Sequence, residues 1–270
     1  MSDWQWIILA LVQGLTEFLP ISSSAHLVLP AQLLGWPDQG LAFDVAVHVG
    51  TLAAVLSYYR LRLIQLAQGA IASLHGGADR APLNDIGFLA LATLPAVLVG
   101  FMADQWIETH LRSVAVIAAT TLAFAILLAL ADRRASPDDR WYVGFWAMAL
   151  LMGLAQALAL VPGVSRSGVT ITAALLLGMS YQRAADTSFL MSIPVIAGAG
   201  LLKTLELIGQ GAAVDWLLLC SAAAFAALSA YACISLFLRL LERVGLMPFV
   251  WYRLALGTLL IGLVIAGENV

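Results

Sequence analysis

Six stretches of the chain, 43–60, 85–104, 113–131, 186–208, 214–238 and 248–266, are apolar over about twenty residues each, the length an α-helix needs to cross a hydrocarbon core of about 30 Å. Hydrocarbon offers no water to satisfy backbone N–H and C=O groups, so only helices and closed barrels span it. The chain is therefore expected to be an all-α polytopic membrane protein with six full transmembrane helices. Of its 270 residues 62% are hydrophobic and 11% charged, against the roughly half apolar content of soluble domains. The net charge of −3 supplies no basic surface and excludes a nucleic-acid partner.

Two more apolar segments, 4–36 and 141–182, are each broken near the middle. The first carries "QGLTEFLPISSSAH" from Gln13 to His26, the second "VPGVSRSGVT" from Val161 to Thr170. Proline ends a helix, and the pattern predicts two re-entrant hairpins of half-helices. Arg60, Arg62 and Arg80 share one connector, Arg133, Arg134 and Arg140 a second, and Arg239 and Arg243 a third. The positive-inside rule makes these cytoplasmic. The opposite connectors hold Asp38, Asp104, Glu108 and Asp215 against Arg112 alone. Counting spans, the two hairpins enter from opposite faces. Laid on each other, they match Gln13 with Gln156, Leu15 with Leu158, Ser22 with Ser165 and Ser24 with Ser167. The expectation is one integral membrane domain, 1–270, of two inverted-topology repeats, about 1–131 and 141–270, joined by a cytoplasmic loop at 132–140. In such an arrangement ligand sites fall where the broken helices meet.

Backbone that leaves the helix at membrane depth must be buried in protein or line a polar cavity, so each break marks a site. After Pro162, "SRSGVT" opens a new helix, whose Ser167 and Gly168 N–H groups and positive dipole end suit an anion. Arg166 adds a planar fork for phosphate or carboxylate, and Ser165, Ser167 and Thr170 add hydroxyl donors. In the first break Gln13 and Glu17 share a helix face, followed by Ser22, Ser23, Ser24 and His26. An imidazole can attack or exchange protons near neutral pH, a serine needs an adjacent base, and Glu17 can orient or deprotonate either. Structural roles compete: Arg166 paired with a carboxylate, Ser22 as a helix N-cap, His26 bonded to a carbonyl.

Other residues rank lower. Asp44 and His48 lie four apart near the outer end of their span. Cys233 to Arg239, "CISLFLR", has the spacing of a cysteine-phosphatase loop but no glycine, and reads as chance. Lys203, Glu206 and Arg253 read as snorkelling or capping charges, Cys220 and Cys233 as small packing residues, and Trp4, Trp6, Trp141 and Tyr142 as interface anchors. The N-terminus lacks the positive flank and cleavage site of a signal peptide and is expected to be retained.

On "QGLTEFLPISSSAH" and "PGVSRSGVT" the chain resembles the undecaprenyl-diphosphatase family, the bacterial bacitracin-resistance phosphatases, through nearly all of its length. The resemblance places Gln13, Glu17, Ser23, His26, Ser165, Arg166 and Thr170 on positions implicated in catalysis. It implies hydrolysis of undecaprenyl diphosphate to the carrier monophosphate in the bacterial cytoplasmic membrane, with the site open to the periplasmic side. It also implies a divalent cation, Mg2+ or Ca2+, which is expected to be held by Glu17 and substrate phosphates rather than by a dedicated cage. Many members have glutamate where this chain has Gln13. The expected catalytic group is Glu17, Ser23, His26 and Arg166, with the nucleophile open between His26, favoured, Ser23 and water. Gln13, Ser165, Arg166, Ser167, Gly168 and Thr170 are expected to bind substrate. The polyprenyl diphosphate and membrane lipids are the expected partners, and a homodimer is left open. The competing reading is a transporter or flippase of an anionic or lipid-phosphate substrate, since inverted repeats with broken helices also build secondary carriers.

Overall fold

The computed structural model describes residues 4–37, 40–210 and 215–266. Among these there are eleven helices and no strand: α1 (Gln5–Glu17), α2 (Ser23–Leu34), α3 (Gly40–Tyr58), α4 (Arg60–Leu74), α5 (Ala81–His110), α6 (Val114–Arg134), α7 (Phe145–Leu158), α8 (Arg166–Leu176), α9 (Tyr181–Gln210), α10 (Trp216–Val244) and α11 (Met247–Ile265). Six contain a stretch long and apolar enough to cross a membrane: α3, α5, α6, α9, α10 and α11. Each of the six sequence windows falls on one of them, and the chain is an all-α polytopic membrane protein.

Local chemistry sets several helix ends. Ser113 accepts the Val116 N–H at the start of α6 and Asp215 the Leu218 N–H at the start of α10, each satisfying an otherwise stranded donor. Proline stands in the first turn of α5 and α11, where its missing N–H costs nothing. Arg133, Arg134 and Arg243 occupy last turns and complement the negative end of the dipole. Of the acidic residues used for sidedness, Asp38 lies outside the described residues, as do the side chains of Asp104 and Glu108.

One element departs from expectation. The connector after the first span is largely helical: α4 follows α3 directly and exposes Leu61, Ile64, Ile71 and Leu74, spaced by three and seven residues and so on one face. A narrow apolar face on a short, charged helix is the pattern of an interfacial helix. A twenty-residue hydropathy window averages it away.

The half-helices α1, α2, α7 and α8 have 13, 12, 14 and 11 residues, about 16–21 Å at 1.5 Å per residue and too short to cross alone. α1 packs along α10, α7 along α5, and α6 against α11, while α3 lies between α10 and α9. Glycine permits the first two contacts, because small residues let membrane helices approach closely. A Cβ on Gly14 would lie 2.0 Å from Ser229 Oγ and 2.4 Å from the Ala226 carbonyl, and one on Gly153 would lie 2.8 Å from the Ala92 carbonyl. Thus α1 and α7 are each seated on a helix from the other half of the chain. That brings their broken ends together over a core that includes Phe18, Met148, Met152, Phe189 and Phe237.

Candidate active site

Each break ends on a serine with an unusual backbone. Ser22 has φ 73° and Ser165 φ 70°, and among the described residues no other non-glycine residue has positive φ. Side chains rarely adopt this conformation, and it persists only where surrounding structure enforces it. Here it turns the chain sharply so that α2 starts at Ser23 and α8 at Arg166. The breaks are stitched together. Gly163 N–H donates to Ser24 Oγ at 3.2 Å, and Ser167 Oγ donates to the Leu19 carbonyl at 2.9 Å. Thr120 Oγ1 donates to the Pro162 carbonyl at 2.7 Å.

Arg253 completes the stitching. Its side chain is fully buried. Nη1 donates to the Pro20 carbonyl at 3.3 Å, Nη2 to Gly163 at 2.9 Å and Val164 at 3.1 Å, and Nε to Thr121 at 3.3 Å. The expected snorkelling or capping role is therefore corrected: Arg253 is a guanidinium clamp that ties the Pro20, Gly163 and Val164 carbonyls of the two breaks to the Thr121 carbonyl of α6. Only a planar group with several fixed donors can serve them at once. Its signal was present in the sequence, an arginine inside an apolar span, where a charge is a functional hypothesis by default.

In front of the clamp, four selected residues form one cluster. Glu17, the last residue of α1, accepts from Arg166 Nη2 at 2.9 Å on Oε1, and from Gln13 Nε2 at 3.0 Å and Ser23 Oγ at 3.1 Å on Oε2. Arg166 also reaches the Ser188 carbonyl at 3.4 Å, and its guanidinium carbon lies 5.5 Å from the centre of the Phe18 ring. The carboxylate and guanidinium are almost wholly enclosed, with side-chain exposures of 9% and 11%. They sit on the wall of a cavity of about 510 Å3 that also takes in Asp44, His48, Gln156, Arg112, Lys203 and Glu206.

The other selected residues build this cluster from behind. Ser165 Oγ accepts the Gly168 N–H at 3.1 Å, capping α8. Thr170, fully buried, donates to the Arg166 carbonyl at 2.8 Å and lies 2.6 Å from Ser188 Oγ. Ser167 is held on Leu19. Ser22 does not cap α2 with its side chain; its hydroxyl pairs with Ser24 Oγ at 3.1 Å instead. His26 is turned elsewhere: its Nδ1–H donates to the Ser22 carbonyl at 2.7 Å, and its Nε2 accepts from Tyr252 Oη at 2.5 Å. With both ring nitrogens engaged there, the imidazole does not join the Glu17 cluster.

The imidazole beside Glu17 is that of His48, on α3, which the sequence placed only near the outer end of a span with Asp44. His48 Nε2 lies 3.2 Å from Gln13 Nε2 and 3.9 Å from Glu17 Oε2. Lys203 and Glu206 pair with each other at 3.2 Å on the cavity wall. Cys233 lies inside α10 and donates to the Leu15 carbonyl, so the phosphatase-loop spacing is indeed chance.

These features define the class: an α-helical membrane protein in which a serine hydroxyl from one broken helix and a guanidinium from the other meet on one buried carboxylate. Positive helix ends and a guanidinium suit phosphate, and a serine hydrogen-bonded to a carboxylate is the pairing needed for nucleophilic attack. The chain belongs to the family described as bacitracin resistance protein BacA, whose model matches residues 6–259. It is 56% identical over 264 residues to the undecaprenyl-diphosphatase of Alcanivorax borkumensis, covering 96% of this chain and 98% of that protein. Similar relatives are the undecaprenyl-diphosphatases of Hahella chejuensis, 51% identical with 98% and 100% covered, and Teredinibacter turnerae, 54% identical with 94% and 96% covered.

Proposed function

We propose that this protein hydrolyses undecaprenyl diphosphate to undecaprenyl phosphate and inorganic phosphate, returning the carrier lipid to cell-wall synthesis and conferring bacitracin resistance. The single observation that carries the reading is the bonding of Glu17 to both Ser23 and Arg166 across the two breaks. The relatives' shared name and their identity over nearly the whole chain support it.

In this mechanism the terminal phosphoryl group sits against Arg166, whose fixed donors stabilise charge on the transferring group. Ser23 Oγ attacks the terminal phosphorus as its proton passes to Glu17. The bond from phosphorus to the bridging oxygen breaks, and undecaprenyl phosphate leaves with that proton. Water then attacks the phosphoserine as Glu17 takes its proton, the bond from phosphorus to Ser23 Oγ breaks, and Glu17 returns the proton to Oγ, leaving inorganic phosphate and free Ser23. The geometry favours Ser23 over His26 as nucleophile, because Ser23 is the one bonded to the carboxylate.

A divalent cation suits the donors that line the cavity. Among the described residues no three His, Cys, Asp or Glu side chains converge, so no all-protein cage is in place. The cavity does offer the Glu17 and Asp44 carboxylates, and Gln156 Oε1 is buried without a hydrogen-bond partner. Oxygen donors few in number, completed by substrate phosphates, are how Mg2+ is commonly held, and the ion would neutralise phosphate charge there. We place the protein in the bacterial cytoplasmic membrane with the arginine-rich connectors inside and the cavity open to the periplasmic face.

The test is phosphate release from undecaprenyl diphosphate by purified protein in detergent. Arg166→Ala, Glu17→Ala and Ser23→Ala are each expected to lose at least about 100-fold in kcat. Full activity in Ser23→Ala would replace serine attack by direct attack of water. An inactive wild type with either cation would overturn the hydrolase reading.

A further inference from the structure

Resting on the reading that Glu17 works with Ser23 and Arg166, we propose that His48 is a positioning residue of the site, holding the Gln13 amide so that it in turn aims Glu17. His48 Nδ1 lies 2.7 Å from the Asp44 carbonyl. A carbonyl only accepts, so Nδ1 carries the hydrogen, and Nε2 presents its lone pair on the opposite side of the ring. Gln13 Nε2 stands 3.2 Å from that lone pair and 3.0 Å from Glu17 Oε2. One amide nitrogen thus gives its two hydrogens to an imidazole and a carboxylate.

The arrangement has one allowed orientation. Gln13 is fully buried and its Oε1 has no hydrogen-bond partner. Turned end for end, the amide would set its one oxygen against both the Glu17 carboxylate and the Nε2 lone pair, two repulsions in place of two bonds. His48 therefore decides which end of Gln13 faces Glu17, and the route runs from α3 through α1 to Arg166 on α8. Ser23 and Arg166 hold Glu17 on two sides, and the His48–Gln13 pair closes the third. A buried amide with one satisfied end is retained where its orientation is needed, since the orphaned oxygen costs stability.

The experiment compares His48→Ala, His48→Gln, Gln13→Ala and the double variant His48→Ala/Gln13→Ala for phosphate release. His48→Ala is expected to lower kcat by about tenfold with KM nearly unchanged, since the residue acts through Glu17 rather than on the substrate. His48→Gln, whose amide oxygen can accept the same N–H, is expected to recover most of that loss. The double variant is expected to be no worse than Gln13→Ala alone, because residues acting through one another are not additive. Unchanged kcat in His48→Ala, a His48→Gln variant as poor as His48→Ala, or losses that multiply in the double variant would each overturn the proposal. The 15N signals of labelled histidine, assigned by comparison with His48→Gln, provide a reading that needs no activity. The Nε2 signal of His48 should shift in Gln13→Ala, whereas an unmoved signal would refute the contact. An inactive wild type with the shift intact would count against the hydrolase reading alone.

Discussion

Two arginines share the junction of the broken helices and do opposite work. Arg166 stands at the cavity wall and meets a carboxylate; Arg253 has no exposed surface and meets four carbonyls. Replacing Arg253 with methionine keeps its bulk but strips donors from Pro20, Gly163, Val164 and Thr121. The expected cost is about 2–4 kcal/mol, since orphaned buried acceptors are expensive, together with more than about tenfold in activity because both half-helix starts loosen. Arg253→Lys should rescue little, as an ammonium cannot span the same carbonyls. Thermal unfolding in detergent alongside phosphate release checks this; a wild-type unfolding temperature in Arg253→Met would contradict the clamp. At this scale the sequence was readable where motif residues gathered, as with Glu17, Ser23 and Arg166. The partners of His48 and Arg253 were not readable, since they lie on helices distant in the chain.

At the scale of elements, the decisive contact is the close seating of α1 on α10. Gly14 lies one residue from Gln13 and three from Glu17 on a helix with no room for a methyl group toward Ser229 and Ala226. Gly14→Ala is expected to push the helices apart and cost about 1–3 kcal/mol, the usual penalty of overpacking, and to lower kcat by moving Glu17. Gly198→Ala in α9, where a Cβ would meet nothing within 4 Å, is expected to be neutral or stabilising by up to about 1 kcal/mol. The pair separates crowding from loss of glycine as such, and equal unfolding temperatures for the two variants would contradict the seating. The spans and breaks were legible as elements because hydropathy and proline are local signals. α4 was not, because its apolar face is a matter of period rather than mean hydropathy.

At the scale of the molecule, the proposed orientation puts the loop after α6 in the cytoplasm. With Cys220 replaced by serine, Asp138→Cys is expected to react with a membrane-impermeant maleimide only after the cytoplasmic face is opened; labelling in intact cells would invert the assignment. The sequence by itself determined that the chain is helical and membrane-bound, where its six spans and two breaks fall, and which residue types wait at the breaks. Those properties follow from hydrocarbon's intolerance of unpaired backbone and from the fixed chemistry of proline, serine and arginine. Only the tertiary structure decided that Glu17 faces Arg166, that His26 turns to Tyr252 while His48 takes the place beside Glu17, and that Arg253 binds the breaks together. Such pairings depend on how α1, α3, α8 and α11 cross, and crossing is set by side-chain packing between segments up to 233 residues apart, which no local pattern encodes.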